Sequence, residues 1–509
     1  MKKKNASDII APPPSQPPSV VLNHLDVFCQ SDSLSEDGLR AIIEQHGWAS
    51  NHPTIPYDFF LSACRNERVT EGILRYLLRI FPSAGTFINR SRNTPMHIIC
   101  HNKNVTLGMV QLLIDAAPDS VRHEDSHGGL PLHCLCVHKN LDDEVANNIL
   151  KLLLKKCPES ARHDIPGSNT LPIHLAAMNK SPEFCRLLIE AYPESERISN
   201  SAGMIPFLAA CNYGTVATAE FLYELYPESI NVAEVRGAYP IHLAILSVKL
   251  RANPATAIDV VQFLLDCDPN VVLQKFDDIL PLHWVCDEAT NENTTTMLKI
   301  LQILYDAHPE AIEGEYVNGV AFGFVPDIPE EVRTFIETHL QYARQARDLR
   351  RMNTPDENGQ LLLHRALHGN ATITLGTIKL FVKGNPSAVT CADNRGMSPL
   401  HIACQNRSAD IVQYLIDRDS LVLEAVDRQG NTVLHHACRG AKHGTITLLL
   451  EKYGAASVLK FNAHNQLPID LLFESEAVID RGGTEYTESI YRLIRAHPET
   501  VMFSSKATN

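Results

Sequence analysis

Thr94-Pro95-Met96-His97 is the first clear copy of a tetrapeptide that recurs along this chain of 509 residues. Close copies follow at Leu130-Pro131-Leu132-His133, Leu171-Pro172-Ile173-His174, Tyr239-Pro240-Ile241-His242, Leu280-Pro281-Leu282-His283 and Ser398-Pro399-Leu400-His401. Weaker copies include Leu361-Leu362-Leu363-His364, Thr432-Val433-Leu434-His435 and Leu467-Pro468-Ile469-Asp470. The mean spacing of about 37 residues predicts a repeat protein in which each unit packs against its neighbours.

Each repeat is predicted to form two helices followed by a turn. Proline costs no hydrogen bond in a first helical turn, so the first helix, named helix A here, should begin at the tetrapeptide proline. The second, helix B, has apolar residues at i, i+3 and i+4, as in Phe184, Leu187 and Leu188, and usually stops at another proline. Most repeats have Gly or Asn three residues before the helix-A proline, which predicts a left-handed turn; Arg92 breaks this pattern.

These features resemble the ankyrin repeat, whose pattern is Gly, one residue, Thr-Pro-Leu-His, one residue and Ala. The resemblance covers about residues 55–504. It implies an all-α, ankyrin-type α-solenoid of about 11–12 helix-turn-helix repeats with short β-hairpin-like turns. Two departures mark a divergent subtype: the family threonine is mostly replaced by Leu, Ile or Tyr, which removes a hydroxyl cap from helix A, and Pro-Glu-Ser mostly replaces Gly-Ala after helix B.

The repeat register also divides the chain into segments. We expect a disordered Pro-rich tail over 1–20, a capping segment over 21–54, a front ankyrin repeat block over 55–320, a degenerate repeat forming a hinge over 321–356, a back ankyrin repeat block over 357–504 and a tail over 505–509. Polar insertions separate helices A and B at 137–147, 246–256 and 287–296. Long surface loops cost little entropy, so tolerated loop extension is the simplest interpretation of these insertions.

Composition and charge narrow the class of protein. The chain has a formal net charge of −14 and is 44% hydrophobic, so a large core is expected and direct nucleic-acid binding is not. No apolar run reaches the roughly 20 residues of a membrane helix, and Met1-Lys2-Lys3-Lys4 leads into a Pro-rich stretch instead of a secretory signal. We therefore expect a monomer without a membrane partner, in the cytoplasm or the nucleus, with its 13 cysteines as thiols.

Histidine and cysteine clusters such as His133-Cys134-Leu135-Cys136-Val137-His138 suggest zinc at first sight. The repeat register gives another interpretation, because the tetrapeptide histidines share one position and Cys64, Cys100, Cys136, Cys211, Cys286, Cys404 and Cys438 share another. The resemblance implies that these histidines form structural hydrogen bonds around the turn. The cysteines are expected as small apolar core residues, without metal or cofactor.

Catalysis has little room in this chain, since repeats cover almost all of it. No Gly-rich phosphate loop, Gly-x-Ser-x-Gly elbow or kinase catalytic loop occurs in the sequence. Carboxylate pairs such as Asp142-Asp143 and Glu330-Glu331 lie in predicted loops or helix starts, where acidic residues favour the helix dipole. We therefore expect no catalytic residue and no enzyme activity.

The recognition surface is the remaining candidate. The resemblance implies that partners bind turn tips and the exposed ends of helices A, on the concave side. By register, the candidate residues at helix ends are His101, Asn102, His138, Asn179, Tyr213, Asp287, Glu288, Asn406 and Arg439. At turn tips and beside the tetrapeptide they are Arg236, Tyr239, Trp284, Arg395 and Arg428.

Two patches stand out among these candidates. Tyr213, Tyr239 and Trp284 are aromatic, as many binding hot spots are, although Trp284 also fits a core position. Arg395, Arg428 and Arg439 form a basic patch that could receive an acidic peptide or simply be solvated. The sequence thus favours a non-catalytic scaffold or adaptor for partner proteins. The alternatives are a nuclear regulatory subunit acting on nucleic acid through a partner, and a zinc- or redox-responsive protein.

Overall fold

A computed structural model describes residues 18–45, 57–251, 253–313, 328–349, 354–369, 373–454, 457–475 and 483–498. The predicted terminal tails lie almost wholly outside these ranges. Residues 321–327 and 350–353 of the expected hinge and the end of the capping segment also lie outside them. The described residues form helices joined by turns. Two isolated β-bridges, both at turns, are the only β-structure in these ranges. It forms two compact units, Met1–Asp277 and Asp278–Asn509, which divide inside the predicted front block.

The first unit contains helices α1 to α14, mostly arranged as successive A and B pairs. Their bounds are Pro18–Gln30, Glu36–Gln45, Asp58–Arg65, Glu71–Ile80, Pro95–Cys100, Leu107–Ala116, Pro131–Val137, Asp143–Lys156, Pro172–Asn179, Pro182–Ala191, Pro206–Tyr213, Val216–Leu225, Pro240–Leu246 and Ala255–Cys267. Five of the A helices begin at a tetrapeptide-register proline, which confirms the sequence prediction. Helix α1 was not predicted; it begins inside the expected Pro-rich tail.

The second unit contains α15 to α25. Their bounds are Pro281–Glu288, Thr294–Ala307, Glu330–Leu349, Leu362–His368, Leu375–Gly384, Pro399–Asn406, Ala409–Arg418, Val433–Arg439, His443–Tyr453, Pro468–Glu474 and Thr484–Ala496. A 20-residue helix, α17, occupies the degenerate repeat. The carboxylate pair Glu330-Glu331 lies at its start, in keeping with the expectation that such pairs occupy loops or helix starts.

The turns between repeats resemble β-hairpins, as the family resemblance implied. In one of them the Asn200 N–H donates to Met204 O at 3.0 Å. Neighbouring turns are linked at their tips, where the Ser201 N–H donates to Ser168 O at 2.9 Å. The residue that the sequence singled out three positions before the proline is left-handed throughout the described turns, including Gly203 and even Arg92, with φ of 75° and 59°.

An acidic or amide side chain closes most of these turns, and sequence reasoning overlooked it. Asp125 Oδ1 accepts from the N–H groups of His127 and Gly129 at 2.8 and 2.9 Å. The same side-chain contact recurs at Asn200, Glu234, Asp356, Asp393, Asp427 and Asn462. These side chains satisfy backbone donors that a tight turn leaves unpaired.

Side chains from the following repeat cap the carboxyl ends of several A helices. Asn66 donates to the carbonyls of Cys29 and Ser31, and Arg407 donates to Leu367 O and Gly369 O. The last carbonyls of a helix have no partner within it, so these bonds join each repeat to the one before.

Candidate functional site

Tetrapeptide histidines hold the start of each helix A. Their Nδ1 atoms accept from the backbone N–H of the residue before the proline position; His97, His133, His174, His242, His364, His401 and His435 do so at 3.0 to 3.3 Å. In His97, His174, His364 and His435 the other ring nitrogen, Nε2, contacts a backbone carbonyl beyond helix B at 2.9 to 3.1 Å. This geometry confirms the structural role that the resemblance implied.

The histidine geometry requires the neutral ring, because a protonated Nδ1 could not accept the backbone N–H. Burial lowers the pKa of His133, His242, His401 and His435 to about 4, and it also lowers the pKa of His174. The apolar interior disfavours the charged imidazolium, because burial removes its hydration.

The cysteine column is buried, as predicted. All seven of its residues are at most 2% exposed, and burial raises the thiol pKa of each, as for Cys136. Such thiols are poor nucleophiles and behave as small apolar side chains. No group of three or more potential metal ligands comes together in the part of the chain that the structure describes.

An elongated groove of about 470 Å³ lies in the first unit, between hairpin turns and the faces of α9, α11 and α13. We name it the inner groove. Its apolar lining comes from Leu175, Met178, Met204, Ala209, Leu243, Leu246 and Phe276. Its polar lining includes Thr170, His174, Asn200, Asn212, Glu234 and Arg236.

Tyr213 stands at one end of the inner groove and is 37% exposed. It is the last residue of α11, and the register prediction had placed it on an accessible surface. The residue before it, Asn212, has a buried side-chain Oδ1 atom with no hydrogen-bond partner among the described residues. An unpaired buried acceptor is costly, so a bound N–H or O–H donor would stabilise this site.

Arg236 supplies a positive charge at the rim of the groove. Its backbone N–H is held by Glu234 Oε1 at 2.9 Å, and the residue is exposed at the turn tip. Its guanidinium has no ion-pair partner among the described residues. The groove therefore combines an apolar floor, an unpaired acceptor and an accessible cation.

Two predicted contact residues are corrected by the structure. Asn102 is 4% exposed, because its amide donates to Cys64 O at 2.8 Å and Asn66 O at 2.9 Å and so caps the preceding helix. His138 is 8% exposed, and its carbonyl accepts from Lys180. Neither side chain lies on an accessible binding surface.

The other candidates in the first unit are distributed unevenly. His101 is exposed away from the inner groove, and Asn179 is half-buried with its amide bonded to Leu175 O at 2.7 Å. Tyr239 is half-buried, with its ring centroid 6.1 Å from that of His242. Of the residues predicted in this unit, only Tyr213 and Arg236 line the inner groove.

Candidates in the second unit form no single cluster. Arg395 and Arg428 are exposed on adjacent turn tips, where the Arg428 N–H donates to Arg395 O at 2.9 Å. Arg439 is half-buried at the end of α22. The remaining candidates vary in exposure: Asp287 and Asn406 are exposed, and Trp284 and Glu288 are half-buried.

Helix pairs, hairpin-like turns and a repeated buried histidine define an all-α repeat protein. The family described as "Ankyrin repeats (3 copies)" matches residues 173–274 and 363–461, so its two matched segments fall one in each unit. These two segments match ankyrin repeats, which confirms there the resemblance that the sequence pattern indicated. Ankyrin repeats are in general protein–protein interaction modules, and no helix in the described ranges has the length and apolar character to cross a membrane.

Curated relatives are similar over limited stretches. The chain is 28% identical over 198 residues to the "Probable 26S proteasome regulatory subunit p28" of Saccharomyces cerevisiae, covering 38% of this chain and 80% of that protein. It is 40% identical over 55 residues to the "FYVE zinc finger domain protein UPA1" of Mycosarcoma maydis, covering 11% of this chain but 4% of the fungal protein.

A third relative and one solved structure complete the comparison. The "SMC5-SMC6 complex localization factor protein 1" of Bos taurus is 24% identical over 153 residues, covering 30% of this chain and 14% of that protein. The crystal structure of the ankyrin repeat domain of Bcl-3 has a TM-score of 0.34 and 18% identity, covering 50% of this chain and 99% of that one.

Proposed function

We propose that this protein is a non-catalytic adaptor that binds an extended segment of a partner protein in the inner groove. The observation that carries the proposal is the accessible Tyr213 beside an apolar floor and the unpaired Oδ1 of Asn212. A segment with a bulky apolar side chain and a nearby backbone N–H would satisfy both features. A carboxylate on the same segment would pair with Arg236.

The test compares two matched tyrosine variants in affinity capture from native lysate with quantitative mass spectrometry. Tyr213→Ala should weaken capture of the partner by about 1–3 kcal/mol, since an aromatic hot spot is lost. Tyr491→Ala removes a tyrosine that is 55% exposed on α25 and outside the groove, and it should leave capture unchanged. A partner retained by both variants, or lost from both, would contradict binding at this groove.

A second candidate follows from the yeast relative. Its name describes a probable regulatory subunit of the 26S proteasome, and the matched region covers 80% of that protein. The corresponding proposal is that this chain binds a proteasome subunit. Purified 26S proteasome should then be retained by the wild-type protein and released by Tyr213→Ala; absence of retention would remove this candidate.

Two further parts of the proposal concern the oligomeric state and location of the protein and the arrangement of its repeats. We propose a monomer in the cytoplasm or the nucleus, with segment 321–356 acting as a hinge between a front and a back block. Light scattering at micromolar concentration checks the first point, with one chain mass expected. Spin labels on α16 and α22 check the second. A broad distance distribution would support the hinge, and a narrow one would mean that the direct contacts between α16 and α19 hold the two blocks in one arrangement.

A further inference from the structure

A second cavity in the first unit lies among the loops that join helices A to helices B. It has a volume of about 630 Å³, and we name it the loop trough. Lys139 and Asp143, from the insertion at 137–147, line one part of it. Leu250 and Arg251, from the insertion at 246–256, line another. The two repeats between these insertions have short loops. The insertions, which we interpreted as tolerated loop extensions, therefore flank a cavity.

Positive charge predominates in the lining of the loop trough, although the chain as a whole is acidic. Lys139, Lys180 and Arg251 line it, against the single carboxylate of Asp143. Lys180 is 5% exposed and donates to His138 O, while Arg251 donates to Cys211 O and Gly214 O at 2.7 and 2.6 Å. Neither cation forms an ion pair with a carboxylate in the described ranges, and burial lowers the pKa of both.

Four B helices begin at the loop trough, and each presents the positive end of its dipole there. These are α8, α10, α12 and α14, whose first-turn or capping residues line the cavity. In α12 the capping Thr215 side chain accepts from the Thr218 N–H at 3.2 Å. In α10 the corresponding Ser181 Oγ is buried without a hydrogen-bond partner among the described residues. The trough therefore also contains an unused polar group.

Apolar surface adjoins these charges. Leu250 is 60% exposed and Tyr213 is 37% exposed, and both line the trough. An exposed leucine next to an exposed tyrosine suits an apolar side chain of a partner.

We propose that the loop trough binds a carboxylate-rich polypeptide segment of a partner protein, with one apolar side chain against Leu250 and Tyr213. Charge complementarity selects this occupant, since three cations against one carboxylate and four helix amino ends together favour negative charge. The proposal goes beyond binding in the inner groove. Tyr213 lines both cavities, but Lys139, Asp143 and Leu250 line the trough and not the groove, so variants at those positions test the trough separately.

The test uses the full chain and two fluorescent peptides, Glu-Glu-Leu-Glu-Leu-Glu-Glu and the version with Lys in place of Glu. Fluorescence anisotropy at low salt should show binding of the glutamate peptide and not of the lysine peptide. Lys139→Glu should weaken the binding by about two- to tenfold, and Asp143→Lys should strengthen it by a similar factor. Lys151→Glu makes the same charge change on exposed α8 outside the trough and should alter affinity by less than about twofold.

Three results would overturn the proposal. The first is no saturable binding of the glutamate peptide at millimolar concentration. The second is an equal effect of Lys139→Glu and Lys151→Glu, which would indicate attraction without a site. The third is displacement of the peptide by inorganic phosphate at concentrations where chloride has no effect, since a phosphorylated segment would then be the occupant.

Discussion

The regular repeats from Pro172 to Leu246 differ from the junction between α16 and α19 in the contacts that hold neighbouring helices together. In the first region, neighbouring repeats are joined by histidines, linked turn tips and carbonyl caps, as with His174 and Arg251. At the junction, the end of α16 packs against the start of α19. There the Gly376 N–H donates to Asp306 Oδ1 at 2.5 Å, and Tyr305 Oη lies 3.2 Å from Thr377 Oγ1.

An aromatic cluster from α17 packs against this junction. The His339 ring stacks on Phe335 with centroids 3.9 Å apart and meets Tyr305 edge-on at 4.5 Å. Cohesion at the junction therefore depends on a few large side chains and one half-buried carboxylate, whereas the regular repeats distribute it over many small contacts. The comparison teaches that a stack can continue where the tetrapeptide has been lost, provided that other side chains replace its hydrogen bonds.

The largest expected effect is acid destabilisation of the histidine frame. Because the folded pKa of about 4 for His133, His242, His401 and His435 lies below the unfolded value of about 6.5, stability is present at neutral pH and is lost as the pH falls through that window. For each of these histidines, the free energy of unfolding should fall by about 2 kcal/mol between pH 7 and pH 5. Thermal unfolding followed by circular dichroism should show a much lower Tm at pH 5; an unchanged Tm would contradict the neutral-ring geometry.

A single frame substitution should have the next largest effect. His174→Ala leaves the Leu171 N–H and the Ile198 carbonyl without partners and opens a cavity, so the loss is about 3–5 kcal/mol. Urea unfolding measures it. The control is His127→Ala at an exposed turn position, where a change within about 0.5 kcal/mol is expected. Equal losses in the two variants would refute the frame as a source of stability.

The junction should respond more moderately to loss of its carboxylate. Asp306→Ala removes the acceptor for the Gly376 N–H and should cost about 2–3 kcal/mol, since a buried donor is left unpaired. Hydrogen exchange should quicken in α19 and leave α9 and α11 at wild-type rates. Faster exchange in α9 as well would show that the junction is not an independently supported region.

The smallest effect is expected when one hydroxyl is removed at the α16–α19 junction. Tyr305→Phe keeps the ring contacts with His339 and loses the Thr377 contact, so about 1 kcal/mol is expected. Urea unfolding with the two variants Tyr305→Phe and Thr377→Val checks it, since both remove the same bond. A loss above about 3 kcal/mol for Tyr305→Phe would mean that the hydroxyl has further partners.

Much of the fold could be predicted from the sequence because each repeat carries its own local signals. The helix-A prolines, the left-handed residues before them and the buried cysteines all follow from backbone and burial rules that act within one repeat. The prediction for Arg92 was informative in another way: the residue type departs from the pattern, yet its backbone keeps the same left-handed conformation. The next turn contacts this one, since the Ser126 N–H donates to Ser91 O at 3.0 Å.

The candidate site could be predicted less well, because it depends on contacts between repeats. Register arithmetic placed Asn102 and Tyr213 at comparable helix ends, but a cross-repeat amide bond buries the first and leaves the second accessible. Met204 and Phe276 were missed as groove residues, since their contribution comes from the turns of adjacent repeats. The turn-closing side chains did carry a signal, as an acidic or amide residue six positions before most of the helix-A proline positions.

The carbonyl caps have a consequence for how such a chain can change in length during evolution. Asn66 and Arg407 each reach back by one repeat, over 35 to 41 residues of sequence, so a duplicated repeat would bring both halves of every such bond with it. At the α16–α19 junction the bonded residues are 70 to 73 positions apart, about two repeats. A gene encoding this architecture can thus lengthen by copying whole repeats, and it can retain a decayed one wherever the flanking helices acquire contacts of their own.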